Sequence, residues 1–308
     1  MALFFMYIEI ATHMKKILVI LGPTASGKSA FSVVLARKFN GEIISADSRQ
    51  IYKGLNLASG KITLDEMRGV PHHLLDVSPI NRIFTVEEFR KLTLKKIEST
   101  WKQGKLPIIT GGTGFYIQAV IDNLEIPKVP PNQKLRDTLS KKSLEELGIL
   151  LASMDMKRFE SIDQKNPQRL IRAIEIATAL GRVPRLKKKE IEADVLQIGI
   201  ETENEVLKGN IEKRLNERFK KGMLEEIKML HEQGVPWKRL EELGLESRFI
   251  ALYVQGNITE EEMKKKLFSE SWKYAKRQRT WFRKDKRIKW FTLKDRKKIE
   301  KEISVFLK

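Results

Sequence analysis

Between Gly22 and Ser29 the chain reads GPTASGKS, a match to G-x4-G-K-[ST]. Gly22 and Gly27 let the backbone curl, so that successive N–H groups, those of Thr24, Ala25 and Ser26 among them, converge on phosphate oxygens. Lys28 adds a point charge for terminal phosphates, Ser29 offers a hydroxyl to Mg2+, and the helix that follows contributes its positive dipole end. This is a phosphate-binding loop, and alone it points to a nucleotide kinase or an NTPase. Such enzymes also place an acid at the end of an apolar strand to help hold Mg2+. Here the apolar run Leu106–Thr110 ends in Gly111-Gly112-Thr113-Gly114, and no other apolar run ends in an obvious Asp unless Asp47 takes that part. Asp47 has the chemistry of a general base or a Mg2+ ligand. Asp47 and Ser48 are equally suited to N-capping a helix. His72 and His73 are adjacent, so their side chains diverge, and structural histidines are expected rather than a metal pair.

The elements that must hold these groups can be read around them. Ile17–Leu21 is a short continuous apolar run, the pattern of a strand buried on both faces. Ala30–Lys38 reads as a helix with Phe31, Val34 and Leu35 on one face. Glu42–Ser45, Leu106–Thr110 and Val195–Ile200 read as further strands. Thr85–Gly104 reads as a long amphipathic helix with Thr85 as N-cap and Gly104 as its stop. Strands alternating with helices imply an α/β fold, a P-loop-type parallel sheet of the doubly wound kind, whose ligands sit at the C-terminal strand ends. All three polar turns fall on that edge. Composition shifts at Ile126–Pro131 toward charged, helical sequence, so residues 126–194 are expected to be a helical insertion. The core is then 14–125 with 195–308, and it becomes mostly helical and basic after Leu207. Ala2–Ile10 is apolar but short, with no basic segment before it, so a signal peptide is not expected. Residues 1–13 read as an extension before Met14.

The 308 residues are 41% hydrophobic and 32% charged, as in a globular soluble protein. Lys and Arg total 59 against 40 Asp and Glu, a net charge of +19. A heat-adapted surface raises both signs together; here the acids lag, and a polyanionic partner is the better reading. The absence of cysteine excludes disulfides, thiolate catalysis and Cys-ligated zinc. From Ser271 to Trp290 there are nine Lys/Arg and one acid, interleaved with Trp272, Tyr274, Trp281, Phe282 and Trp290. That combination suits phosphate tracking with base stacking, with Lys276 and Arg277 at its centre. It equally suits an amphipathic helix whose rings are core.

Taken in order, GPTASGKS (22–29), SADSRQIYKGL (45–55), HHLLDV (72–77), FTVEEFR (84–90), GGTGFYIQA (111–119), NPQRLIRAIEI (166–176) and AKRQRTWFR (275–283) resemble the tRNA dimethylallyltransferases, also called tRNA isopentenyltransferases. The resemblance covers essentially the whole chain after Met14. It implies transfer of a dimethylallyl group from dimethylallyl pyrophosphate to N6 of the adenosine 3′ of the anticodon, with Mg2+ and no nucleotide cofactor. On that reading Gly22 and Thr24 through Ser29 hold the pyrophosphate and its metal, which accounts for the missing strand-end acid. It implies that Asp47 accepts the N6 proton, that Ser48, Arg49 and Gln50 contact the tRNA, and that Thr113 lines the channel between substrates. Arg136 would lie beside the tRNA, Gln168, Arg169, Leu170, Ile171 and Arg172 would contact the anticodon stem-loop, and Arg218 would meet the diphosphate. A cytoplasmic monomer is expected, with tRNA as partner and no membrane. A free-nucleotide acceptor, a small-molecule kinase and a non-catalytic RNA-binding protein are the rival readings; NPQRLIR with the basic C-terminus, the missing strand-end acid, and the intact Lys28, Ser29 and Asp47 count against them in turn. Two segments depart from the family pattern. Ser59-Gly60-Lys61-Ile62 stands where G-T-x-K-P is usual, and Leu243-Gly244-Leu245-Glu246-Ser247 where I-G-Y-[KR]-[EQ] is common.

Overall fold

The computed structural model describes residues 15–189 and 191–308, so the extension read at residues 1–13 lies outside the described residues. Six strands form one sheet: β1 (Lys16–Leu21), β2 (Gly41–Ala46), β3 (His72–His73), β4 (Leu106–Gly111), β5 (Asp194–Glu201) and β6 (Ile288–Thr292). Their order is β3-β2-β4-β1-β5-β6, and every pairing is parallel. The apolar runs have the burial that their composition requires: β2 and β4 are buried throughout, and so is Ile17–Leu21 of β1. Side chains alternate between two cores. Ile17, Val19 and Leu21 join the cluster on one face, and Leu18 and Ile20 the cluster on the other.

Register sets the functional edge. Leu21 and Ala46 both pair with Gly111, so the turns after β1, β2 and β4 open side by side. The Lys28–Lys38 helix starts immediately behind Gly27, whose φ of 82° lets the loop swing into the first turn. Thr85 caps the Val86–Lys102 helix in a reciprocal capping box with Glu88, and Gly104 follows its end at a φ of 67°. A 23-residue helix, Glu260–Phe282, runs through the basic region.

Two strands escaped the sequence pattern. β3 is only two residues long. β6 lies in a segment so charged that it read as helix, yet Ile288–Thr292 pairs with Gln197–Glu201 at the sheet's edge. Edge strands tolerate and even favour lysine, which discourages further pairing.

Residues 123–190 form a compact unit distinct from the rest of the described chain. Its helices Gln133–Leu139, Leu144–Met154, Met156–Ser161 and Pro167–Leu180 close around Leu139, Leu147, Leu151, Leu170, Ile171 and Ile174. Asn166 caps the longest of them with Pro167 at its first turn, the arrangement best suited to a helix start.

Candidate active site

The phosphate loop is built around three left-handed or nearly left-handed residues: Gly22, Ala25 and Gly27, with φ of 153°, 61° and 82°. A side chain at Gly22 would lie 2.8 Å from the Ile200 carbonyl. Lys28 Nζ donates to the Pro23 carbonyl at 3.0 Å, which holds the ammonium in the curl of the loop. Burial, reinforced by the Arg214 charge and opposed by Asp47, lowers the Lys28 pKa to about 8. The Ser26 hydroxyl is buried and has no hydrogen-bond partner among the described residues. Leaving a hydroxyl so costs about 1–3 kcal/mol, a cost that a bound anion would relieve.

Lys28 lines a cavity of about 70 Å3 together with Thr24, Ser29, Asp47, Gln50 and Arg214. A larger cavity, about 280 Å3, shares Thr24, Asp47 and Arg214 with it and adds Ser48, Arg49, Tyr274 and Arg277. Asp47 therefore borders both spaces. Its Oδ1 accepts from the Arg49 N–H at 2.8 Å and, more weakly, from the Gln50 N–H at 3.4 Å. The carboxylate thus caps a turn and not a helix. Ser48 and Arg49 border the larger cavity, whereas Gln50 is tied to Ser45 and to the Gly60 carbonyl and borders the smaller. Thr113, expected in a channel, borders neither cavity. Its hydroxyl accepts from the Ser48 N–H at 3.1 Å and lies against Tyr274, whose pKa is pushed up to about 12, chiefly by burial.

Arg218 is the main surprise among the cations. Its Nη1 donates to the Leu57 and Ala58 carbonyls at 3.1 and 3.4 Å, and its Nη2 donates to Glu246 at 2.8 Å. These contacts commit its guanidinium to the protein, and it borders only the larger cavity. One helical turn earlier, Arg214 borders both cavities, and its guanidinium has no hydrogen bond or ion pair among the described residues. Nearby protein, then the Arg218 charge, lowers its pKa. Residue type did not distinguish the two arginines, because positions i and i+4 share a helix face.

The loop over the smaller cavity is pinned from below. Buried Glu226 accepts from the N–H groups of Asn56, Leu57 and Ala58 at 3.1, 2.7 and 2.9 Å. Lys61 bonds the Tyr52 carbonyl, Asn56 and Asp76. His72 and His73 have structural partners: His72 donates to the Val70 carbonyl and His73 to buried Glu42.

The glycines of Gly111-Gly112-Thr113-Gly114 answer to packing. A Cβ at Gly111 would lie 2.2 Å from the Ala46 carbonyl oxygen, and one at Gly114 would lie 2.2 Å from the Trp281 ring. Between them, Gly112 faces Gln278. This buried amide accepts from the Thr24 N–H at 2.8 Å and donates to the Gly112 carbonyl at 2.9 Å. Sequence reasoning passed over Gln278, seeing only charges and rings in that helix. The rings themselves are mostly core: Phe282 is buried, and Trp272 and Trp290 pack against the main cluster. Trp281, 36% exposed, meets Phe115 edge-on. Arg277 reaches the larger cavity, whereas Lys276 lies over the Trp272 ring.

In the 123–190 unit, Arg136 and Arg172 converge on Glu175. Both Arg136 contacts are 2.9 Å, and Asn132 N–H and Arg172 donate to the same carboxylate. Burial acts to raise the Glu175 pKa, but these bonds outweigh it and the net shift is downward. Arg169 pairs with Asp163 on the surface, and Gln168 is exposed. Leu170 and Ile171, expected among RNA contacts, are 0% and 5% exposed. Their side chains are core, because helical periodicity turns them inward while Gln168, Arg169 and Arg172 face out.

With this geometry in place, similarity to known proteins is informative. Residues 50–285 match the IPP transferase family. The chain is 43% identical over 270 residues to tRNA dimethylallyltransferase 2 of Treponema denticola, covering 86% of this chain and 90% of that protein. Its fold superposes on the crystal structure of the full-length tRNA isopentenylpyrophosphate transferase of Bacillus halodurans with a TM-score of 0.72, 32% identity, and coverage of 95% and 97%. A eukaryotic dimethylallyltransferase, solved in crystallographic snapshots of its action on tRNA, matches with a TM-score of 0.69, 26% identity, and coverage of 87% and 69%. A phosphate loop after β1, a carboxylate shared by two cavities and identity along nearly the whole chain converge on one assignment: the chain belongs to the IPP transferase family.

Proposed function

We propose that this protein transfers a dimethylallyl group from dimethylallyl diphosphate to N6 of the adenosine 3′ of the anticodon in tRNA. The observation that carries the reading is Asp47, whose carboxylate borders both an anion-receptive cavity and a larger one able to admit a base. Lys28, Arg214, the loop N–H groups and the unpartnered Ser26 hydroxyl bind the diphosphate. As the allylic C–O bond breaks, its electron pair goes to the diphosphate oxygen, and these groups stabilise that charge without touching the carbon. The N6 lone pair forms the new C–N bond, and Asp47 takes the N6 proton. An exocyclic amine is a weak nucleophile, so proton removal helps most as that bond forms. The acceptor base must leave its stack, which costs a few kcal/mol and less in a loop than in a duplex.

The residues suit Mg2+. The exposed Ser29 hydroxyl has no hydrogen bond among the described residues and borders the same cavity as the Asp47 carboxylate. Mg2+ is commonly held by one or two such oxygens plus substrate phosphates. When bound, it supplies Lewis-acid stabilisation of the leaving diphosphate. The reading also makes the protein a cytoplasmic monomer that recognises tRNA partly through Arg277 and the arginines of the 123–190 unit.

The deciding experiment supplies dimethylallyl diphosphate and Mg2+ with either unmodified tRNA or AMP, followed by mass spectrometry of the nucleosides. A C5 unit on a tRNA adenosine is expected. Modification of AMP with none on tRNA would overturn the reading.

A further inference from the structure

The Gln278 side chain lines neither cavity, yet it bonds Thr24, which lines both. It is 6% exposed, near the C-terminal end of a helix otherwise dense with lysine and arginine. Burying an amide there is unfavourable unless both its polar ends are satisfied, and both are. Oε1 accepts from Thr24 N–H at 2.8 Å, inside the phosphate loop. Nε2 donates to the Gly112 carbonyl at 2.9 Å, in the turn after β4. The next residue, Thr113, accepts from Ser48 N–H, and Ser48 adjoins Asp47. A short path of hydrogen bonds, with the Gly112–Thr113 link in it, therefore leads from the phosphate loop through the Gln278 and Thr113 side chains to the Asp47 turn. Arg277 and Tyr274, on the same helix, border the larger cavity. A Cβ on Gly112 would stand 2.2 Å from Nε2, so glycine is required there for the amide to seat.

We infer that Gln278 is a positioning residue that registers the leaving-group loop against the Asp47 base. The inference rests on the proposed transfer reaction for its catalytic consequence, but its geometric part concerns only the phosphate loop. Freed from Gln278, Thr24 N–H and the loop lose their fixed placement relative to Asp47. A misplacement of about 1 Å at a reacting centre lowers the rate by roughly 100-fold.

The test uses the full chain and two variants that break the contact from opposite sides, Gln278→Met and Gly112→Ala. Thermal unfolding, calorimetric binding of inorganic pyrophosphate with Mg2+, tRNA binding and single-turnover transfer at saturating donor are measured for each. Both variants should weaken pyrophosphate by about tenfold, the worth of one well-made hydrogen bond to an ordered loop. Both should slow single-turnover transfer by about 100-fold while tRNA affinity stays within about twofold of wild type. Gln278→Glu, which keeps an acceptor for Thr24 N–H but loses the donor to Gly112, should retain more pyrophosphate affinity than Gln278→Met. Wild-type pyrophosphate affinity and transfer rate in both variants would overturn the inference, as would loss of tRNA affinity and pyrophosphate affinity in equal measure, the signature of general unfolding. If wild type binds pyrophosphate but modifies no tRNA, the proposed function fails, and the pyrophosphate comparison alone decides the role of Gln278.

Discussion

Lys28 stands half-buried beside a second cation, and that arrangement has a pH signature. Burial and the Arg214 charge bring its pKa down to about 8, against a weaker opposing effect from Asp47. The charged form, which the anion needs, is therefore full near neutral pH and is lost as pH rises through about 8. Affinity for pyrophosphate should hold steady near neutrality and weaken above that point, and calorimetry across pH should show the fall vanish in Lys28→Ala. At neutral pH that variant should bind pyrophosphate about 10- to 100-fold more weakly, the worth of a charge-assisted contact. At Asp47 the prediction separates chemistry from binding. Asp47→Asn keeps an oxygen for the Arg49 and Gln50 N–H groups and removes the base. Single-turnover transfer should drop by roughly 100- to 10,000-fold, with tRNA retention on a filter unchanged; loss of binding at a normal chemical rate would refute the base role.

At the scale of elements, buried carboxylates hold the loops and helices that carry the site. Glu226 anchors residues 56–58 through three backbone N–H groups, and the adjoining Ser59 and Gly60 border the smaller cavity. Glu226→Ala should cost about 2–3 kcal/mol, since three backbone donors lose a buried, charged acceptor. Denaturant unfolding checks the cost, and the loosened loop should raise the donor KM more than it lowers kcat. Glu175 does comparable work for Arg136 and Arg172 in the 123–190 unit. Its removal should destabilise that unit by about 3 kcal/mol, because two guanidinium groups lose a common buried partner. Its net downward pKa shift means that the stability it lends is complete at neutral pH and is lost on acidification through a pKa below its ordinary value. Circular dichroism during acid titration of wild type and Glu175→Ala would show this difference.

For the molecule as a whole, the surplus of 19 positive charges decides how it meets a polyanion. Releasing condensed counterions from several phosphates makes affinity fall steeply with salt, and tRNA binding should weaken by about 100-fold or more between roughly 50 and 200 mM salt. A flat response in a filter-binding titration would count against the basic surface as the RNA contact. No helix among the described residues is long and apolar enough to cross a membrane.

The sequence by itself determined what is local. The phosphate loop needs only glycines, a lysine and a serine at fixed spacing between strand and helix, and all of that is contiguous. Strands buried on both faces announce themselves as apolar runs, and Thr85 with Glu88 is a cap contained in four residues. Tertiary structure decided what depends on distant chain segments or on the phase of a helix. Thr24 and Gln278 are 254 positions apart, so no local pattern links them. Arg214 and Arg218 share one face, and only the carbonyls of Leu57 and Ala58 with Glu246 show which guanidinium is committed. Leu170 and Ile171 sit within a motif of polar neighbours, and helical phase alone turns them into the core. β6 became a strand because β5 offered an unpaired edge, a partner that nothing in Ile288–Thr292 itself reveals. Spacing thus places the phosphate loop, while its register against the Asp47 base is a property of the folded molecule.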